Sequence, residues 1–130
     1  SSAASDVYKR QVKDNHVELS NAAEAYARVR DFLGDDATTW VEVEVDTLEQ
    51  LSDLLGADRP HPPQVLLDNF SVEDTKKAVE LRDNRAPEVL LESSGGLTLN
   101  VVADYAAAGV DSVAVGGLTH SVRALDIGLD

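Results

Sequence analysis

The chain has 130 residues, 43% of them hydrophobic, and its 24 acidic and 11 basic residues give a formal net charge of -13. This length and apolar content suit one domain, and the negative charge argues against binding to nucleic acid or to an anionic membrane surface. Because no apolar run reaches the ~20 residues of a membrane span and the sequence contains no cysteine, we expect a cytoplasmic protein without disulfides.

The first eleven residues, SSAASDVYKRQ, lack the hydrophobic periodicity and the turn signals of the remainder, and the sequence contains no methionine. We therefore expect residues 1–11 to be a non-native or disordered terminus and residues 12–130 to belong to the domain. The segment VKDNH follows, in which Lys13 offers a positive charge for an anionic substrate, although a solvated lysine is the commoner outcome. A helix is expected from Asn21 to Phe32.

Four short aliphatic runs recur with a period of 24 residues, which is the length of one strand, one helix and two short loops. The runs are VEVEVD at 41–46, VLLDN at 65–69, VLLES at 89–93 and VAVGG at 113–117. Between them, helical patterns are predicted at Thr47 to Leu55, at Ser71 to Asp83 with Ser71 as the cap, and at Thr98 to Ala108 before Gly109.

The alternation of strands and helices predicts the α/β class, with a parallel sheet covered on both faces. An open doubly wound sheet and a barrel both fit this pattern. The even spacing favours a barrel, but the units are too few to close the usual eight-stranded ring. We therefore predict a partial, incomplete parallel α/β barrel built from repeating β/α units.

Acidic residues recur at the ends of the predicted strands. Counting four positions into each run gives Glu44, Asp68, Glu92 and Gly116, and the carboxyl ends of parallel strands meet at one edge of a sheet. A single acid there often only caps the next helix, but three in register at the ends of apolar strands indicate a ligand site. Carboxylates beside a phosphate site suit Mg²⁺, which prefers oxygen ligands.

Two glycine turns follow the last two predicted strands. The backbone N–H groups of Ser94, Gly95 and Gly96 precede a predicted helix start, where an anion is favoured, and Gly116 and Gly117 repeat the arrangement one unit later. Each glycine pair alone is more often a plain turn. Two such turns on neighbouring strands match the position of a phosphate site in a parallel barrel.

In combination, these motifs resemble the carboxyl-terminal part of the bacterial-type quinolinate phosphoribosyltransferases, the carboxylating nicotinate-nucleotide pyrophosphorylases. The motifs are VKDNH, VEVEVDTLEQ, VLLDNF, LLESSGGLTLN and YAAAGVDSVAVGGLTHSVRALDIGLD, in that order, between Val12 and Asp130. The resemblance implies Mg²⁺-dependent transfer of a phosphoribosyl group from phosphoribosyl pyrophosphate to quinolinate in NAD biosynthesis. Pyrophosphate and CO₂ are released and nicotinate mononucleotide is formed.

The resemblance also implies a role for each matching residue. Lys13, Glu44 and Asp68 would be the catalytic set: Lys13 would contact the substrate anion, and the two acids would hold the ribose hydroxyls and the metal-associated end of the donor. Glu92 would support them. The residues implied around the 5′-phosphate are Ser94, Gly95, Gly96, Val115, Gly116 and Gly117, with His120 in support.

Members of this family have an amino-terminal sandwich domain and earlier barrel strands that the sequence lacks, and they act as homodimers with sites between subunits. The arginines that grip quinolinate belong to those missing parts or to the partner subunit, so we expect the chain alone to be inactive. Two alternatives stay open. One is a related barrel phosphoribosyltransferase for another aromatic acid, and the other is a non-catalytic, phosphate-binding half-barrel.

Overall fold

The structure is a computed structural model that describes Glu24 and residues 26–27, 42–56 and 61–124. Within those residues, strands and helices alternate as the sequence predicts: β1 Glu42–Val45, α1 Leu48–Gly56, β2 Gln64–Asp68, α2 Val72–Arg85, β3 Leu90–Ser94, α3 Val102–Ala108, β4 Ser112–Val115 and β5 Leu118–Ser121. Short 3-10 turns occur at Leu99–Val101 and Val122–Ala124. Of the helix expected from Asn21 to Phe32, only Glu24, Tyr26 and Ala27 are described, and their backbone is helical.

The five strands form one sheet in the order β1-β2-β3-β4-β5. The first four are parallel, and β5 runs antiparallel to β4. The prediction of an α/β fold with repeating β/α units is confirmed, and the sheet is open within the described residues, as a partial barrel requires. None of the helices in this part of the chain has the length and apolar character that crossing a bilayer requires.

One face of the sheet forms the core. Its side chains are at most 1% exposed and come from alternate strand positions: Val43, Val45, Val65, Leu67, Leu91 and Val113. They join buried residues of all three helices, including Leu51, Ala78 and Tyr105, in a single hydrophobic cluster. The expectation of helices on both faces is therefore wrong for the described residues. One-sided cover is the arrangement of a barrel, whose helices lie outside the strands.

The other face of the sheet, the polar face, carries most of the polar strand side chains, together with Leu66 and Leu90, because alternate strand positions point to opposite faces. Glu42 and Gln64 lie at its amino edge, where the Gln64 amide donates a hydrogen bond to Glu42. Glu44 and Asp68 lie nearer the carboxyl edge and are half-buried. The face that would line a barrel interior thus carries the acids that the sequence singled out.

The 24-residue period does not give the strand register. Glu44 pairs with Leu66, and Leu66 pairs with Glu92, so Asp68 lies two residues further toward the carboxyl edge. The expectation of three acids in register is therefore wrong. Because the offset is an even number of residues, the three acids still share one face. The two offsets run in opposite directions and cancel, so Glu44 and Glu92 lie in the same row.

A buried arginine at the amino edge of the sheet joins α2 to the starts of β3 and β4. Arg82 donates hydrogen bonds to the carbonyl of Val89 at 2.8 Å and to Asp111 Oδ2 at 2.9 Å, and that carboxylate oxygen also accepts from the backbone N–H of Leu91. Burial alone would lower the pKa of the guanidinium, but the hydrogen bonds and ion pairs with Asp111 and Asp83 outweigh it and raise the pKa. This network lies at the edge opposite the acids and the glycine turns, which indicates a structural role.

Hydrogen bonds to α2 and to α3 fix the loop between β2 and α2. Ser71 caps α2 by accepting a hydrogen bond from the backbone N–H of Asp74 at 3.1 Å, as predicted. The buried hydroxyl of Tyr105 in α3 donates to the carbonyl of Phe70 at 2.8 Å. The segment that follows Asp68 is therefore tied to the neighbouring β/α unit.

We expect Tyr105→Phe to lower the free energy of unfolding by about 1 kcal/mol, because the buried Phe70 carbonyl loses its donor while the ring remains in the core. Denaturant titration followed by circular dichroism measures this change. Tyr105→Phe stability equal to the wild type would show that water replaces the hydroxyl at no cost.

Candidate functional site

Three carboxylates lie together at the carboxyl edge of the polar face. Glu44, Asp46 and Asp68 each offer an oxygen atom, and these oxygens lie within 4.8 Å of one another. Glu44 and Asp68 are half-buried, and Asp46 is exposed. Like charges this close repel one another unless a cation or a proton separates them. The cluster can therefore hold a cation or the hydroxyl groups of a ligand.

Asp46 was missed by the sequence reasoning. It follows β1, on the same side of the chain as Glu44, and extension of the pairing of Val45 with Leu67 brings it next to Asp68. The alternation in VEVEVD carries this signal, since every second residue of a strand faces the same way. Counting only the fourth position of each run left it out.

The glycine turn after β3 lies beside this cluster. Ser94 is the register partner of Asp68, and its carbonyl accepts a hydrogen bond from the backbone N–H of Asn69 at 3.0 Å. The Ser94 hydroxyl is buried and has no hydrogen-bond partner among the described residues. Gly95 and Gly96 follow with φ angles of 103° and 67°. The structure thus brings together Asp68, Ser94 and this turn, as predicted from the sequence.

The second glycine pair lies in a different kind of turn from the one expected. Gly116 and Gly117 have φ angles of 57° and 84° and form the two-residue turn of a hairpin between β4 and β5. Positive φ at both central residues is the requirement of a type I′ turn, which glycine meets without strain. The expectation of a strand-to-helix turn at this position is wrong.

The hairpin also decides where Val115 and His120 lie. Val115 packs against the core, so only its backbone is available to a ligand. His120 pairs with Val113, whose side chain is in the core, and directly paired residues share a face. The structure therefore does not bring the His120 side chain to the face of Glu44 and Asp68. Lys13 lies outside the described residues.

Glu92 lies on the polar face and is more deeply buried than Glu44, Asp46 and Asp68. Its side chain is 4% exposed, and its Oε1 accepts a hydrogen bond from the Ser112 hydroxyl at 2.7 Å. Glu92 also shares a row of the sheet with Glu44, with Leu66 between them. This position beneath the cluster is consistent with the supporting role that the sequence resemblance implies.

The fold and the site define an α/β domain of the barrel type with an acidic, glycine-flanked ligand site at the carboxyl edge of its sheet. Residues 9–130 match the family described as quinolinate phosphoribosyl transferase, C-terminal domain, and the chain belongs to this family.

The relatives of this chain are longer proteins. One from Mycobacterium leprae, named nicotinate-nucleotide pyrophosphorylase [carboxylating], is 53% identical over 120 residues, which cover 92% of this chain and 40% of the relative. A human protein of the same name is 34% identical over 120 residues, which cover 91% of this chain and 38% of the relative. The chain therefore spans about 40% of the length of these curated relatives.

A solved structure of a similar protein supports the fold. The nicotinate-nucleotide pyrophosphorylase from Francisella tularensis superposes with a TM-score of 0.59 at 32% sequence identity. The match covers 76% of this chain and 34% of that chain.

Proposed function

We propose that the chain forms the barrel portion of an enzyme that transfers a phosphoribosyl group from phosphoribosyl pyrophosphate to quinolinate. Family membership and the names of the relatives support this proposal. The observation that carries it is the position of the Glu44, Asp46 and Asp68 cluster beside the Ser94 to Gly96 turn. Carboxylates accept hydrogen bonds from sugar hydroxyls, and a glycine turn can bind phosphate through its backbone N–H groups. A site that combines the two suits a sugar phosphate.

In the proposed reaction, the ring nitrogen of quinolinate forms a bond to the anomeric carbon of the donor. The bond from that carbon to the pyrophosphate oxygen breaks, and pyrophosphate leaves with the electron pair. The carboxylate next to the ring nitrogen then leaves as CO₂, and the ring carbon takes up a proton. Nicotinate mononucleotide is the product, and no covalent bond to the enzyme is formed.

Positive charge develops on the ribose as the donor bond breaks. Carboxylates fixed near the ring stabilise that charge more strongly than water does, because they need no reorganisation. We assign this role to Glu44 and Asp68, which also accept hydrogen bonds from the ribose hydroxyls. Glu92, held by Ser112, keeps the polar face beneath them in place.

The three carboxylates fit Mg²⁺, because their oxygens are the ligands that this ion prefers and their spacing allows a shared cation. When bound, the ion would neutralise charge on the donor pyrophosphate. We propose that Glu44, Asp46 and Asp68 together would hold it.

We assign the 5′-phosphate to the Ser94 hydroxyl and the backbone N–H groups of Gly95 and Gly96. The unpartnered Ser94 hydroxyl supports this assignment, as does Thr98, whose side chain makes no capping hydrogen bond at the start of the following 3-10 turn. Contacts from the backbone of Val115, Gly116 and Gly117 are further parts of the proposal. So is substrate binding by Lys13.

The test is an assay of the intact protein that contains this chain and the additional length of its relatives. With quinolinate, phosphoribosyl pyrophosphate and Mg²⁺, we expect equimolar nicotinate mononucleotide, pyrophosphate and CO₂. Product formed only with nicotinate, and without CO₂, would favour a related transferase for another acid. Donor binding without any product would favour a non-catalytic phosphate-binding protein.

Three further properties belong to the same proposal: the intact protein is cytoplasmic, it is a homodimer, and the present chain alone is inactive. Sedimentation analysis of the intact protein tests the homodimer. The present chain is expected to show no turnover, because the groups that bind the quinolinate carboxylates are not among its motifs.

A further inference from the structure

Asn69 has an unusual backbone conformation at the edge of the site. Its φ angle of 61° makes it the only residue other than glycine with a positive φ in the described parts of the chain. Asparagine tolerates this left-handed conformation better than most residues, because its short polar side chain bonds locally. The conformation turns the chain at Asn69, whose backbone N–H donates a hydrogen bond to the Ser94 carbonyl, 3.0 Å away.

The neighbouring turn is shaped to accept Asn69. A Cβ atom built on Gly95 would lie 2.5 Å from Asn69 Oδ1 and 2.7 Å from the Asn69 backbone nitrogen, distances that real side chains do not reach. A Cβ atom on Gly96 would meet nothing within 4 Å. The two adjacent glycines therefore differ: Gly95 makes room for Asn69, whereas Gly96 borders open space.

The same side chain also reaches the acidic cluster. Asn69 Nδ2 lies 3.5 Å from Asp68 Oδ2, at the outer limit of a hydrogen bond. The Asn69 amide thus lies between the Asp68 carboxylate on one side and the Gly95 backbone on the other. Its backbone N–H adds a third contact, to the strand that ends in Ser94.

We propose that Asn69 is a positioning residue that sets the distance between the Asp68 carboxylate and the Ser94 to Gly96 turn. This inference rests on the proposed function, in which those two groups bind the ribose and the 5′-phosphate of one donor molecule. The ribose hydroxyls and the 5′-phosphate of one donor molecule are joined by only a few bonds, so the groups that bind them must be held within a narrow range of separations.

The first test measures the contact without any ligand. Gly95→Ala and Gly96→Ala are each introduced into the wild-type chain and into an Asn69→Gly background, and the midpoint of thermal unfolding is measured. Asn69→Gly keeps the left-handed backbone and removes the side chain. Gly96→Ala is the matched control, since its φ of 67° gives backbone strain without a clash.

We expect Gly95→Ala to lower the midpoint by several degrees in the wild type and by measurably less in the Asn69→Gly background, where the clash with the Asn69 side chain is gone but the 2.7 Å approach to the backbone nitrogen and the φ of 103° remain. Gly96→Ala should lower it equally in both. If Gly95→Ala fails to fold in the wild type, recovery of folding in the Asn69→Gly background supports the contact. Equal effects of Gly95→Ala in both backgrounds, or failure to fold in both, would overturn the inference.

The second test measures the consequence for the donor, in the intact enzyme. We expect Asn69→Gly to raise the KM for phosphoribosyl pyrophosphate about tenfold while the KM for quinolinate and the unfolding midpoint stay close to the wild-type values. An unchanged donor KM, or an equal rise in both KM values, would contradict a positioning role. An inactive wild type would refute the proposed function, and the unfolding measurements would still decide whether Asn69 and Gly95 are in contact.

Discussion

Replacing Asp68 by alanine in the intact enzyme is expected to lower kcat/KM for the donor by about 10²–10³-fold. Asp68 lies in the carboxylate cluster and is the register partner of Ser94, so its loss removes a group assigned to both the ribose and the metal. Its side chain is half-buried and lies outside the hydrophobic core, so the fold should be little affected. Steady-state kinetics at saturating quinolinate measure the change.

A matched control is available on α1, where Asp53 is exposed and lies on a helix that packs against the opposite face of the sheet. Asp53→Ala removes the same charge and should leave kcat/KM within twofold. Glu44→Ala should have an effect similar in size to that of Asp68→Ala. Kinetics unchanged by either cluster substitution would exclude that carboxylate from the mechanism.

The largest effect on stability is expected at Arg82. Replacing it by methionine keeps much of the apolar stem but removes the donors to the Val89 carbonyl and to Asp111. Because the side chain is only 7% exposed, water replaces those donors poorly. We expect the free energy of unfolding to fall by about 3 kcal/mol, as measured by urea titration.

Arg85→Met provides the comparison on the same helix. Arg85 is exposed and bonds to Ser52, and exposed contacts of this kind contribute under about 1 kcal/mol. Similar losses of unfolding free energy for Arg82→Met and Arg85→Met would mean that water satisfies the hydrogen-bonding partners of Arg82 once its guanidinium is removed. Neither substitution should alter donor binding in the intact enzyme, since both residues lie away from the carboxyl edge.

The secondary structure followed closely from the sequence, because its signals are local. The Ser71 cap and the Gly109 stop are set by neighbouring backbone groups, and both are present in the structure. The motifs ESSGG and LLDNF likewise indicated a site at strand ends, and the structure brings Asp68 and Ser94 together there. The family followed from the same motifs.

The errors arose where long-range pairing decides the outcome. The 24-residue period suggested that Glu44, Asp68 and Glu92 are equivalent, but the pairing of β2 with its neighbours places Asp68 two residues further toward the carboxyl edge. Gly116 and Gly117 were expected to repeat the arrangement of Gly95 and Gly96, but GGLTHS forms a hairpin that turns His120 toward the core side. A period in the sequence measures chain length between strands, which does not define their register.

Residue spacing and motifs read along the chain are enough to predict the α/β class, the approximate helix and strand positions, and the family. Three features become visible only in the folded chain: the helices cover one face, Asp46 joins Glu44 and Asp68, and Gly95 accommodates Asn69 while Gly96 borders open space. These features depend on the register and twist of strands that are distant in sequence. Such contacts follow from packing in three dimensions, and no local pattern specifies them.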